Sequence, residues 1–170
     1  ERDSKGKVIQ ARLKSDGQPV ISGGVEKMSK SKNNGVDPQD LINRFGADTV
    51  RLYTMFTAPP DQSLEWSEEG VEGAHRFLKR LWILAAEMAT EELGIPDALP
   101  ERLQNSRWEI HTILKKALYD YERQQYNTVV SSCMTIVNNL YKLDETHEDK
   151  AVLREGMSIV LRLLAPIAPH

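Results

Sequence analysis

Lys27 and Lys30 stand three residues apart, with Ser29 between them, Ser31 directly after and a third lysine, Lys32, closing the basic part of the run EKMSKSKNNGVDP at residues 26–38. Such a segment offers ammonium groups, two hydroxyls and a series of backbone N–H groups within a few positions, a combination that suits phosphate oxygens. Lys/Ser-rich runs are usually solvated loops and nothing more. In this chain the particular pentamer, KMSKS, and its place just before a capped helix lift the run above that background. Asn33-Asn34-Gly35 is turn chemistry, suited equally to a plain connection and to a hinge that lets the loop close over a ligand and reopen.

The charge around this loop is uneven. Over 170 residues the net charge is −3, yet residues 1–32 hold eight Lys or Arg against four Asp or Glu, while residues 33–170 hold fourteen against twenty-one. A basic head on an acidic body means that a polyanion is gripped locally, at the head or along a stripe, and not by a generally basic surface. Cys133 is the one cysteine and reads as core filler, and no apolar run approaches membrane-spanning length. These features predict a soluble, reduced, cytoplasmic protein without disulfides, signal peptide or membrane partner. His75, His111, His147 and His170 are scattered without ligand spacing, so no metal is expected in this chain.

The elements that must position the loop follow from the patterning. Alternation at Val8-Ile9-Gln10-Ala11-Arg12-Leu13 and at Pro19-Val20-Ile21-Ser22, with Ser15-Asp16-Gly17 between, predicts a short β-hairpin. Asp37-Pro38 then opens a helix as N-cap and first-turn proline, Leu41, Ile42 and Phe45 give its apolar face, and Gly46 ends it. A second helix, ADTVRLYTMFTA, places Val50, Tyr53, Met55 and Phe56 near one side and stops at Pro59-Pro60. Ser67-Glu68-Glu69-Gly70 caps a long helix whose stripe is Val71, Ala74, Phe77, Leu78, Leu81, Ala85 and Met88, expected to run to about Leu93. Amphipathic stretches follow with Ile110, Ile113, Leu114, Ala117, Leu118 and Tyr121, and with Val129, Val130, Cys133, Met134, Val137, Leu140 and Tyr141; a last one, AVLREGMSIVLRLLA, ends at Pro166. The predicted fold is mainly α: a short N-terminal β-hairpin and loop, a helical linker, and an antiparallel helix bundle. Trp66 and Trp82 read as packing anchors, and Arg51, three after Asp48, as a local ion pair. The opening at Glu1 and the close on RLLAPIAPH read as a piece cut from a larger protein.

KMSKS resembles the second signature of the class I aminoacyl-tRNA synthetases. The likeness extends through GVDPQDLINRFGADTVRLYTMFTAPPDQSLEWSEEGVEGAHRFLKRLW and on to YNTVVSSCMTIVNNLYK and LLAPIAPH, and over that length it is similar to the bacterial leucyl type. Isoleucyl and valyl relatives usually read K-G-N after the pentamer, where this chain reads Lys32-Asn33-Asn34-Gly35; together with SLEW and EGAHRFLKRLW, that difference selects leucine.

The resemblance implies an enzyme that activates leucine with ATP, carrying Mg2+ on the nucleotide, and then charges tRNA(Leu). Lys30 and Lys27 are the implied catalytic and ATP-binding residues, with Ser29 and Ser31 on the phosphates and Met28 anchoring the loop. Arg76, Lys79 and Arg80 on the long helix are the implied tRNA contacts. The implied domains are a hairpin insertion with the KMSKS loop at 1–36, a stem-contact-like helical linker at 37–66, and a truncated anticodon-binding-type bundle at 67–170. No HIGH-type sequence, Gly-rich phosphate loop or parallel-sheet pattern occurs in the chain, so by itself it is expected to be inactive, and the parent a monomer. Three alternatives stand beside this reading: an isoleucyl- or valyl-type synthetase, a stand-alone helical RNA-binding module, and a helical scaffold in which KMSKS is an accident.

Overall fold

A computed structural model describes residues 11–20, 25–87, 94–144 and 146–170. The chain divides into two compact units, Glu1–Val36 and Asp37–His170. Val8–Gln10, Ile21, Ser22 and Met88, and the expected end of the long helix near Leu93, lie outside the described residues.

In the first unit, strands β1 (Ala11–Arg12) and β2 (Pro19–Val20) pair antiparallel with Ala11 opposite Val20 and Arg12 opposite Pro19. The turn between them is built as its residues require. Gly17 sits at φ +73°, where a Cβ would be strained, its N–H donates to the Leu13 carbonyl, and Asp16 accepts from the Gln18 N–H at 3.0 Å.

The second unit holds six α-helices among the described residues: α1 (Pro38–Phe45), α2 (Ala47–Thr57), α3 (Glu68–Glu87), α4 (Glu101–Glu122), α5 (Tyr126–Leu140) and α6 (His147–Leu164). The capping signals work as chemistry. Asp37 accepts the Gln39 N–H at 2.9 Å, Pro38 takes a position that needs no donor, and Gly46 at φ +83° ends α1 and admits α2 directly. Ser67 accepts the Gly70 N–H at 3.1 Å at the start of α3.

Helices α4, α5 and α6 pack on one another; α2 packs on both α3 and α5, and α1 on α2 and α3. The core contains Leu52, Val71, Leu103, Ile110, Val129, Val130, Ile136, Leu140, Val152 and Val160, all essentially removed from water. Cys133 lies fully inside it; burial pushes its thiol up to about 12, so it fills space and does no chemistry at neutral pH.

Several sequence expectations shift. The buried face of α2 is Thr49, Leu52 and Tyr53, with Phe56 at the surface. An apolar count misses Thr49 because its hydroxyl is satisfied within the chain, donating to the Phe45 carbonyl at 2.7 Å. Leu118 and Tyr141 are exposed, Leu118 because it lies one residue, about 100°, past the buried Ala117. Trp66 does pack, edge-on to Tyr53 with ring centroids 5.1 Å apart. Trp82 does not: it is 72% exposed, one step round α3 from the buried Leu81.

Arg51 makes no local pair with Asp48. Its guanidinium donates to the carbonyls of Ile167 at 2.8 Å and Pro166 at 3.1 Å, while the Asp48 carboxylate accepts the His170 N–H at 2.7 Å. The two charges of the GAD…R segment therefore hold residues 166–170 against α2, each serving a different group.

At Gly156, α6 lies tight against side chains of α4 and α5. A Cβ there would meet Leu140 Cδ2 at 2.6 Å and Ile110 Cδ1 at 3.3 Å, inside a packed core. Gly156→Ala should gain up to about 1 kcal/mol in helix propensity and lose roughly 1–3 kcal/mol to overpacking, a net loss on the order of 1 kcal/mol. Urea unfolding of the 170-residue chain should show a lower midpoint; an unchanged or higher midpoint would mean that the core gives way easily at this point.

Candidate functional site

The KMSKS run folds on itself. Residues Lys30–Lys32 form a single 3-10 turn closed by Lys32 N–H to the Ser29 carbonyl and Asn33 N–H to the Lys30 carbonyl, both at 3.2 Å. Asn33 follows at φ +49°, the left-handed region that Asn tolerates better than most residues. Asn34 is the clasp: its Oδ1 accepts the Ser29 N–H at 2.9 Å and its Nδ2 donates to the Lys27 carbonyl at 3.4 Å. The first half of the pentamer, Lys27 to Ser29, is thereby held by one side chain. The hydroxyls of Ser29 and Ser31 face each other at 3.3 Å.

The three lysines are not equivalent. Lys32 Nζ is taken by Glu26 Oε2 at 2.7 Å, whereas Lys27 and Lys30 have no acidic partner among the described residues. The loop thus presents two uncompensated ammonium groups beside two hydroxyls on a backbone shaped by a turn. That arrangement can stabilise oxygen-borne negative charge, and it leaves Lys32 to hold the loop's own shape. Met28, read as an anchor, is 42% exposed. Among the described residues no group of three or more His, Cys, Asp or Glu side chains could hold a metal ion.

Arg76, Lys79 and Arg80 all lie exposed on α3. Arg76 leans toward Glu72, one turn back, at 3.8 Å. Arg80 stacks over the Tyr141 ring at 4.8 Å, and Tyr141 OH donates to the Arg80 carbonyl at 3.2 Å. Lys79 has no acidic partner among the described residues. The stripe is therefore part cation, part internal support for the α3–α5 junction.

Sequence reasoning missed three features of these surfaces. The Asn34 clasp was legible only as turn chemistry, because a side chain reaching five residues back leaves no periodic mark. Trp108, on α4, is 69% exposed and was not singled out at all. The Arg107 guanidinium makes a bidentate pair with Glu155 at 2.6 and 2.8 Å, and His111 Nε2 meets the same carboxylate at 3.1 Å. That hydrogen-bonded pairing with Arg107, helped by His111, holds the Glu155 carboxyl below its ordinary range.

Residues 19–67 match the family of class I tRNA synthetases (I, L, M and V), and residues 105–170 match the anticodon-binding domain of tRNA ligase. A lysine–serine loop of the first kind followed by a helix bundle of the second places the chain among the class I aminoacyl-tRNA synthetases.

The chain belongs to the leucine–tRNA ligase family. It is 53% identical to the leucine–tRNA ligase of Azoarcus sp. (strain BH72), aligning over 100% of this chain and 21% of that protein. It is 55% identical to that of Dichelobacter nodosus, over 99% of this chain and 19% of the relative. A crystal structure of the LeuRS of Agrobacterium radiobacter K84, in a ternary complex with tRNA and LeuAMS, superposes with a TM-score of 0.73 at 28% identity, covering 85% of this chain and 20% of that one. The chain spans about a fifth of the length of the curated relatives it matches.

Proposed function

We propose that the full-length protein is a leucine–tRNA ligase, and that this segment supplies its phosphate-stabilising loop and a helical surface for tRNA. In the first step a leucine carboxylate oxygen attacks the α-phosphorus of ATP, the bond from that phosphorus to the bridging oxygen breaks, and pyrophosphate leaves with the electron pair. Charge grows on the bridging and pyrophosphate oxygens. Lys30 and Lys27, free of carboxylate partners among the described residues, are the cations for that charge, and Ser29 and Ser31 donate to the same phosphates or keep the turn. In the second step the leucyl group passes to the terminal adenosine of tRNA(Leu). Mg2+ belongs to the nucleotide in this reading.

In the same reading residues 1–36 are the hairpin insertion and signature loop, 37–66 a stem-contact-like linker, and 67–170 an anticodon-binding-type bundle on which Arg76, Lys79 and Arg80 approach tRNA phosphates. The enzyme works as a cytoplasmic monomer; no described helix is long and apolar enough to cross a membrane. The observation that carries the proposal is the pair of lysines with no acidic partner among the described residues on a clasped KMSKS turn, within a chain at least half identical to leucine–tRNA ligases. The full-length protein should exchange pyrophosphate into ATP only when leucine and Mg2+ are present, and should charge tRNA(Leu). Exchange supported equally by isoleucine or valine would reject the leucine assignment.

A further inference from the structure

Two asparagines follow the basic run, and they do different work. Asn33 sits at φ +49°, in the left-handed region that glycine enters freely and asparagine tolerates, and its backbone N–H closes the turn on the Lys30 carbonyl at 3.2 Å. Asn34 stays at negative φ, so its backbone asks for no particular residue. What Asn34 contributes is its amide: Oδ1 accepts the Ser29 N–H at 2.9 Å and Nδ2 donates to the Lys27 carbonyl at 3.4 Å.

Those two bonds join parts of the loop that carry different lysines. Lys30 belongs to the 3-10 turn Lys30–Lys32, whereas Lys27 belongs to the stretch before it, and Ser29, extended at φ −152° and ψ 150°, marks the change. Without the amide, the Ser29 N–H and the Lys27 carbonyl would be left to water, and the angle between stretch and turn would be free to vary. One other side-chain contact spans the same gap, the ion pair of Glu26 with Lys32 at 2.7 Å, and both of its side chains are half in solvent. An exposed pair of that kind holds little. The neutral amide of Asn34, engaged at once as donor and acceptor on two backbone groups, is the contact that sets one lysine's backbone against the other's.

We infer that Asn34 is a positioning residue for the activation step: by clamping the Lys27–Ser29 stretch to the turn that bears Lys30, it holds the two lysines at one spacing for the charge that grows on the departing pyrophosphate. This rests on the reading of Lys27 and Lys30 as the cations for that charge. Groups fixed before the charge appears stabilise it more than groups gathered from a flexible loop as it forms. Asn34 touches no reacting atom in this scheme and acts only through the lysines.

The test makes the same substitution at the two neighbouring positions of the full-length enzyme. Asn34→Gly removes the amide, whereas Asn33→Gly keeps the left-handed backbone and the N–H that closes the turn. Asn34→Gly should lower the rate constant of leucyl-adenylate formation by roughly 5- to 100-fold, the range for losing two exposed hydrogen bonds, with a much smaller change in the Kd for ATP and with transfer from isolated adenylate at the parent rate. Asn33→Gly should form adenylate at nearly the parent rate. Both variants should melt with the parent, since both side chains are exposed. Because Asn34 acts through the lysines, Asn34→Gly should cost much less in a Lys30→Ala enzyme than in the parent.

If Lys30→Ala slows adenylate formation but Asn34→Gly does not, or if Asn33→Gly slows it as much as Asn34→Gly, the positioning inference is wrong and the reading of the lysines survives. An equal factor lost to Asn34→Gly in the parent and in Lys30→Ala, or a lowered melting temperature with transfer slowed as much as activation, would make Asn34 a structural residue and overturn the inference as well. If Lys30→Ala itself leaves adenylate formation unchanged, the reading of the lysines falls first and takes this inference with it.

Discussion

Lys30→Ala in the full-length enzyme is expected to lower the rate constant of leucyl-adenylate formation by roughly a hundred- to a thousandfold, the loss found when one preorganised stabiliser of a developing oxyanion is removed. The expectation follows from where the charge is and when it appears. Lys30 has no carboxylate partner among the described residues, in contrast to Lys32, which Glu26 occupies at 2.7 Å. A cation already neutralised by a neighbour adds little to a transition state, so Lys32→Ala should act mainly on the shape of the loop and cost less. Lys27→Ala should act in the same direction as Lys30→Ala. Lys30→Arg keeps the charge but replaces a compact ammonium by a planar fork of different reach, and it should recover only part of the rate. Leucine-dependent exchange of pyrophosphate into ATP reads all four variants; equal rates for Lys30→Ala and Lys32→Ala would contradict the division of labour among the three lysines.

The second large effect concerns stability and centres on Asp149, near the start of α6. Its carboxylate is fully buried and receives a bidentate pair from Arg102 at 2.6 and 2.8 Å, the Thr146 hydroxyl and the Asp144 N–H at 3.2 Å. Thr146 in turn accepts the Asp149 N–H at 3.2 Å as the N-cap of α6, and Arg102 joins that helix start to α4. The hydrogen-bonded Arg102 guanidinium is the main cause that holds the Asp149 carboxyl down at about 2, well below the usual carboxylate range.

Because the folded value lies below the unfolded one, near 3.9, the contribution is complete above about pH 4 and is lost as the pH falls toward 2. At neutral pH it amounts to about 2 kcal/mol. Asp149→Ala also strands a buried hydroxyl donor, about 1 kcal/mol more, for a total loss of roughly 3 kcal/mol. Urea unfolding of the 170-residue chain between pH 2 and 7 should show the gap between parent and variant closing at the acid end. A gap that is constant with pH would mean that the carboxylate's charge is not what stabilises the helix start.

What the sequence could and could not reveal divides along the distance over which residues act. The Asp37-Pro38 cap, the Gly46 break and the turn at Gly17 are local rules, and each operates in the structure as read from neighbouring residues alone. The buried stripe of α3 also follows its period through Val71, Ala74, Phe77 and Leu81. Failures begin where a partner lies far along the chain. Arg51 finds carbonyls 115 and 116 residues away, and Arg102 finds Asp149 across 47. No spacing rule connects such positions.

The aromatic residues fail in the other direction. Trp82 reads as a packing anchor but stands in water, as does Trp108, which nothing in the sequence marks out, because helical phase, and not residue type, decides which side faces the bundle. At the loop, the residue types that suit phosphate were legible. The clasp that shapes them was not, since Asn34 acts through a side chain whose only sequence cue is membership of a turn.

The proposed role of Lys30 is to act on charge that exists only while pyrophosphate is leaving, and one pre-steady-state comparison tests that most directly. Enzyme-bound leucyl-adenylate is isolated from parent and Lys30→Ala enzymes, and single-turnover transfer to tRNA(Leu) is timed beside the rate constant for adenylate formation and the dissociation constant for ATP. The predicted result is adenylate formation slowed at least a hundredfold, ATP affinity changed far less, and transfer nearly at the parent rate, because transfer involves no pyrophosphate. Equal slowing of both steps, or a loss seen mainly in ATP affinity, would contradict the transition-state role and make the KMSKS turn a structural or ground-state binding element.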